Sequence, residues 1–358
     1  MDNPRRLISA LALTAVLATS GCAVNELNRG DSTGSLAGTL DGSGSSAQSA
    51  AQEVWIASAQ NANGRLTVNY EPSGSGAGRE SFLAGGIDYA GSDSALTAEE
   101  AESGLAGCVP GTGAINLPLY ISPLAIIVNV EGLDELNLDA ETVALIFRGE
   151  ITEWDDPRIR EMNPDAALPS ETITAVHRSD ASGTTKNFTD YLAQAAPDAW
   201  GAEPGDAFPY SGESAQGNSG VVNAVANGRN TIGYADASRA ADLTIVTLKV
   251  GDEFVAYTPE AAARVVEASP LEEGRASDDL AIALDRTIDE PGTYPLVLVS
   301  YVIVCRDYPN DDDAELVRGY LEWVASPEAQ QLSAEFAGSA PLSPGLTERV
   351  LAAIEGIR

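Results

Sequence analysis

Residues 172–176 are an alternating, β-branched stretch that predicts a strand, and Phe188, Leu192 and Ala195 then recur at helical spacing over residues 185–196. Ser182, Gly183 and Thr184 therefore sit where a helix begins. At that point backbone N–H groups lack intrahelical partners and the positive end of the macrodipole faces outward. The same strand, loop and helix grammar occurs twice near the N-terminus. Residues 42–47, Gly-Ser-Gly-Ser-Ser-Ala, lead into a helix whose apolar positions include Ala50, Ala51, Val54 and Ala57. Residues 66–70 read as a strand, and the Gly- and Ser-rich residues 71–78 then turn into a short helix bearing Phe82 and Leu83. Residues 87–93 form a strand ending in Asp93, and Thr97 with Glu100 has the spacing of a capping box for the next helix. The apolar run at residues 117–129 predicts a buried strand. Strands alternating with helices, without a repeat of fixed period, indicate α/β layers rather than a sandwich or a bundle.

The corner at residues 177–188, His-Arg-Ser-Asp-Ala-Ser-Gly-Thr-Thr-Lys-Asn-Phe, adds chemistry to this pattern. Arg178 brings a permanent charge and a planar fork of donors suited to a tetrahedral oxyanion, beside a helix N-terminus that favours anions. An ordinary capped helix beside a surface Arg178–Asp180 pair would use the same residues. Asp93 is an odd member of an anion site unless the ligand carries a proton to donate. Monohydrogen phosphate does, and sulfate does not.

With these corners the chain resembles the phosphate-binding proteins that deliver inorganic phosphate to bacterial ABC importers. The match covers most of residues 38–345. It comprises Gly-x-Gly-x-Ser at 42–46, Val-Asn-Tyr-x-x-x-Gly-Ser-Gly-x-Gly at 68–78 and Gly-Ser-Asp-Ser-Ala-Leu-Thr at 91–97. Further on lie Phe-Arg-Gly-Glu-Ile-Thr-Glu-Trp-Asp-Asp-Pro at 147–157, Asn-Pro-x-x-x-Leu-Pro at 163–169 and Arg-Ser-Asp-x-Ser-Gly-Thr-Thr at 178–185. Tyr294-Pro295 precedes the apolar strand of residues 296–304. The resemblance implies a two-lobed type II periplasmic-binding-protein fold with a ligand cleft between lobes. Residues 37–120 and 298–358 would form lobe 1, and residues 121–297 lobe 2. It implies that Ser46, the Ala47 N–H, Ser75, Asp93, Arg178, Ser182, Gly183 and Thr184 hold phosphate, with Asp180 bracing Arg178. Ser46 stands where relatives often carry Thr, and Ala47 where several carry a bulkier residue. His177, the only histidine, would be a neighbour of the site.

Composition refines the picture. The chain has 358 residues, 44% of them apolar, enough for two domains of ordinary size. Arg5 and Arg6 precede an apolar run at residues 7–18 that is too short to span a bilayer, and Thr19-Ser20-Gly21-Cys22 follows. Residues 1–21 thus read as a lipoprotein signal, Cys22 as the lipidated residue and residues 22–36 as a polar tether. Removing residues 1–21 takes one Asp and two Arg with it, moving the net charge from −33 to −34. That balance argues against nucleic acid, whose phosphates need a basic footprint. It does not exclude a small anion, because charges beyond about 8 Å are largely screened at physiological ionic strength. Cys108 and Cys305 then remain, and an even remainder in an oxidising compartment favours a disulfide, with two separate buried thiols as the alternative.

The expected partners are inorganic phosphate, an ABC permease and the membrane through its lipid anchor, for a monomer without cofactor, metal or catalytic residue. Three alternatives use the same residues. Sulfate or molybdate could occupy the same fold, a phosphoesterase could use a serine with His177 as base, and Gly42-x-Gly44-x-x-Ala47 also satisfies a dinucleotide fingerprint. The acidic clusters at 155–156 and 311–313 lack the spacing of a calcium loop and read as solvated surface.

Overall fold

The computed structural model describes residues 36–240 and 243–358. Strands β1 (Ala37–Gly44), β2 (Arg65–Glu71) and β3 (Tyr89–Ser92) alternate with helices α1 (Ser49–Ala62), α2 (Ser75–Leu83) and α3 (Ala98–Glu102). Next come β4 (Ala114–Asn129), β5 (Leu136–Leu138), α4 (Ala140–Arg148), α5 (Pro157–Met162) and β6 (Thr174–Arg178). Helices α6 (Gly183–Ala195), α7 (Pro197–Trp200) and α8 (Gly217–Asn227) are interleaved with β7 (Glu213–Ala215) and β8 (Thr231–Asp236). The strands β9 (Thr244–Val250), β10 (Glu253–Val255) and β11 (Val297–Cys305) complete the sheet. Around them lie α9 (Pro259–Ala268), α10 (Asp311–Val324), α11 (Pro327–Ala337) and α12 (Pro344–Glu355).

The strand order is β2-β1-β3-β11-β4-β8-β6-β7, with β9 pairing β4, β5 and β10 off this path. Parallel neighbours require crossover connections, which helices supply, and the pairs β1/β2, β1/β3, β6/β8 and β6/β7 are all parallel. Two α/β lobes result, joined along β4. That strand is long and apolar enough to be buried at every position but the last. From Ala114 to Pro123 it pairs with β11, and from Leu124 to Asn129 with β8. The exchange falls beside Pro123, which has no N–H to give a ladder. A second proline, Pro118, sits where the register skips from Ser300 opposite Tyr120 to Tyr301 opposite Pro118. Such a bulge re-aims side chains, and Ser300 turns into the site described below.

Local registers differ from the pattern expected for two helices. The core face of α1 carries Ala51, Trp55 and Ala59, whereas Ala57 is exposed. Trp55 dominates because its large ring is fully buried and its Nε1 donates to Ala329 O at 2.9 Å. In α6, Phe188 and Leu192 are buried but Ala195 is exposed, since the chain ends the helix there and buries Ala196 instead. Thr97 and Glu100 do form a capping box. The acidic pairs and triplets are helix starts: Asp156 caps α5, and Asp311, Asp312 and Asp313 fill the first turn of α10, where carboxylates oppose the positive helix end. Cys108 and Cys305 are disulfide-bonded, with Cα atoms 5.4 Å apart.

Candidate functional site

In an open parallel sheet, loops at the carboxyl ends of strands are where a ligand meets helix N-termini. Here β1 delivers Ser45 and Ser46, β2 delivers Ser75, β3 delivers Asp93, β6 delivers Arg178 and β7 delivers Gly217 and Asn218. Hydrogen bonds join these corners into one cluster. Asp93, buried at 4% exposure, accepts from Ser45 Oγ and Ser300 Oγ (2.5 Å) through Oδ1, and from Thr184 Oγ1 through Oδ2 (2.9 Å). Its own N–H donates to Ser75 Oγ at 3.1 Å. Burial raises the Asp93 carboxyl above the usual range, while the hydroxyls of Ser300, Ser45 and Thr184 and the charge of Arg178 pull the other way.

Arg178 is buried and its fork is braced rather than free. Nε and Nη2 meet the two oxygens of Asp180 at 2.8 and 2.5 Å, and Nη1 reaches Thr184 Oγ1 at 3.2 Å. Burial alone would raise the Asp180 carboxyl, but the contacts with Arg178 outweigh it and hold the group below the usual carboxylate range. Ser182 caps α6 by accepting from Thr185 N at 3.1 Å. The Gly183 and Thr184 N–H groups precede the first intrahelical bond of that helix. Two expected backbone donors are already engaged: Ala47 N–H points to Ser45 Oγ at 3.1 Å, and Ser182 N–H to Asp206 O at 2.9 Å.

The lobes meet across this cluster. Besides Thr184 on Asp93, Asn187 Nδ2 donates to Asp93 O at 2.7 Å and Gly76 N to Ala181 O at 3.0 Å. Arg79 pairs with Asp206 at one rim, and Arg239 donates to Ser49 Oγ at 2.5 Å. Close approach depends on absent side chains. A Cβ on Gly183 would lie 2.7 Å from Asp93 Cβ and 2.8 Å from Ser75 Oγ, and one on Gly76 would lie 2.5 Å from Ala181 Cβ.

A PBP superfamily domain model matches residues 30–328. The phosphate-binding protein PstS3 of Mycobacterium bovis is 37% identical over 292 residues, covering 79% of this chain and 78% of its own. The PstS 3 protein of Mycobacterium leprae is 36% identical over 335 residues, covering 88% of each. The chain belongs to the phosphate-binding proteins of bacterial ABC importers. Among solved structures, that of a high-affinity periplasmic phosphate-binding protein, PfluDING, bound with phosphate, superposes with a TM-score of 0.71 at 20% identity. The match covers 88% of this chain and 93% of the other, a likeness of fold. The two-lobed periplasmic-binding-protein architecture is thus that of the family.

Within this family member, Ser46, Ser75, Asp93, Arg178, Ser182, Gly183 and Thr184 lie in one buried, cross-lobe cluster, with Asp180 behind Arg178. Ala47 is beside it, with its N–H turned to Ser45. Cys22 lies outside the described residues. His177 flanks the cluster: its Nδ1 lies 2.9 Å from Arg178 O and its ring stacks on Phe208 at 4.3 Å between centroids. Because a carbonyl only accepts, Nδ1 must carry the hydrogen.

Sequence reasoning missed Ser45, Ser300 and Asn218. Ser300 is a lone hydroxyl within a buried apolar strand, and Gly217-Asn218 opens a fifth strand-to-helix corner, signals that were open to the same reading. A groove of about 480 Å³ also reaches Asp93 and is lined by Thr97, Lys186, Asp190, Arg275 and Arg286. Its arginines are spoken for, Arg275 by Glu272 and Asp279 and Arg286 by Asp190. Among the described residues no cluster could hold a metal ion and no helix is long and apolar enough to cross a membrane.

Proposed function

We propose that this protein captures inorganic phosphate between its lobes and presents it to an ABC permease, and that acyl chains on Cys22 hold it at the extracytoplasmic membrane face. Ser46, Ser75, Arg178, Ser182, Gly183 and Thr184 are its donors, with Asp93 accepting the ligand's own P–OH. The observation that carries this reading is the pairing of a buried, braced Arg178 with a buried Asp93 that, among the described residues, has no ion-pair partner of its own, only hydroxyl donors. Such a site asks for an anion that also carries a proton. Phosphate-binding relatives at 36–37% identity support the ligand. Sulfate and molybdate would leave the Asp93 charge opposed in a desolvated cleft. A phosphoesterase finds no support in His177, whose ring is stacked on Phe208 and, among the described residues, is hydrogen-bonded to no serine hydroxyl.

Calorimetric titration of the full chain with phosphate, arsenate and sulfate tests the ligand. Phosphate and arsenate should bind and sulfate should not. Arg178→Ala should weaken phosphate binding by about tenfold to a hundredfold, since a charge-assisted contact contributes roughly 1.5–3 kcal/mol and tenfold requires about 1.4 kcal/mol. Unchanged binding would reduce Arg178 to a partner of Asp180 and overturn the assignment. The anchor is tested by fractionating cells: wild-type protein should need detergent for release, and Cys22→Ser protein should not.

A further inference from the structure

Asn218 is fully buried, comes from the second lobe and touches two of the proposed phosphate donors. Its amide orientation is determined by chemistry. Asp236 N–H, which can only donate, lies 2.8 Å from Asn218 Oδ1, so the Nδ2 hydrogens face the other way. One goes to Ser46 Oγ at 3.0 Å and the other to Thr184 Oγ1 at 3.2 Å. The Asn218 backbone N–H also donates to Ser46 Oγ, at 3.1 Å. Every polar atom of this side chain is therefore used.

The consequence falls on Ser46. A hydroxyl has one hydrogen and two lone pairs. Both lone pairs of Ser46 are taken by Asn218, so its hydrogen must point elsewhere, and Ser46 meets an incoming group only as a donor. Thr184 is constrained in the same sense. It accepts from Arg178 Nη1 and Asn218 Nδ2, which leaves its hydrogen to donate, as it does to Asp93 Oδ2. Asp180 extends the device: its Oδ1 accepts the Gly217 N–H at 3.1 Å and so ties the start of α8 to the group that braces Arg178.

We infer that Asn218 is a positioning residue that holds Ser46 as an obligate donor across the closed lobes, and thereby selects a phosphate oxygen that carries no proton at that position. This rests on the proposed phosphate site. With Ser46 set to donate and Asp93 set to accept, one ligand proton is met at Asp93 and a second one facing Ser46 is opposed, so the site favours monohydrogen phosphate over the dihydrogen form. Freed from Asn218, Ser46 could rotate and accept a ligand proton.

The test is a double-mutant cycle on the full chain, Asn218→Ala, Ser46→Ala and both together, with phosphate affinity measured through the pH range of the second ionisation of phosphate. Asn218→Ala should weaken binding about tenfold at the alkaline end, the effect of one or two hydrogen bonds. It should lose less affinity than wild type as the pH falls. In the Ser46→Ala background the same change should cost little more, because the shared contact is already gone. Asn218→Asp keeps an oxygen for Asp236 N–H and the shape of the residue, and it guards against misfolding. It should bind less well than Asn218→Ala, with Ser46 now donating to the new carboxylate. Additive losses, or a pH profile parallel to wild type, would overturn the inference while leaving the site intact. Failure of wild-type protein to bind phosphate would instead remove the site reading itself.

Discussion

At the scale of single residues, the proposed selectivity rests on which buried charges are partnered and by what. Arg178 has Asp180 as a counter-ion, whereas among the described residues the Asp93 carboxylate has only the hydroxyls of Ser45, Ser300 and Thr184. A carboxylate offers about four lone-pair sites, so three hydroxyls leave room for one further donor. A protonated oxyanion supplies it and sulfate cannot. Replacing Asp93 by Asn keeps the shape, removes the charge and adds an amide donor. Sulfate should then bind measurably in competition titrations, with a smaller change for phosphate. Equal rejection of sulfate by both proteins would move selectivity to another group. Asp236 is a second buried carboxylate raised by desolvation. Desolvation pushes it up to about 6, and the bonds it accepts from the Ser238 N–H and the Tyr120 hydroxyl only partly compensate.

At the scale of elements, the site is an arrangement of helix starts. Helices α6 and α8 present free or site-directed N–H groups from the second lobe, and α1 and α2 begin opposite them in the first. Their partial positive ends would let a strongly acidic chain hold the proposed anion locally. The packing is so close that the helix starts must be stripped of side chains. Gly183→Ala would place a methyl group 2.7 Å from Asp93 Cβ. Affinity for phosphate should fall by roughly a hundredfold, the scale of a displacement of about 1 Å at a binding centre. Thermal stability without phosphate should change by less than about 1 kcal/mol, because alanine favours a helix. A variant with normal affinity by titration would show that the lobes tolerate separation at this point.

At the scale of the whole molecule, the two lobes share β4, and the disulfide ties the loop after α3 to the end of β11. Both cysteines belong to the first lobe, so the bond closes a span of 197 residues that contains the entire second lobe. Its removal should enlarge the unfolded ensemble far more than it disturbs the cleft. Reduction should lower unfolding stability by about 2–5 kcal/mol, read from denaturant melts, with phosphate affinity nearly unchanged. A large affinity loss on reduction would instead mean that the first lobe needs the bond to shape Ser46, Ser75 and Asp93.

What the sequence determined by itself were the features with local causes. Glycine and serine at a helix start, the capping box at Thr97, the apolar run of β4 and the motifs around Ser46, Ser75, Asp93 and Arg178 all follow from periodicity and turn chemistry within a few residues. The register of α1 did not, because Trp55 outweighs the small alanines only when there is a partner helix to receive it. Ser300 and Asn218 were equally hidden. Each acts on a residue 207 or 172 positions away, on Asp93 and Ser46, and only the bulge of β4 against β11 and the closure of the lobes bring them there. Local physics wrote the donors into the chain, and tertiary packing decided in which direction each hydroxyl gives its proton.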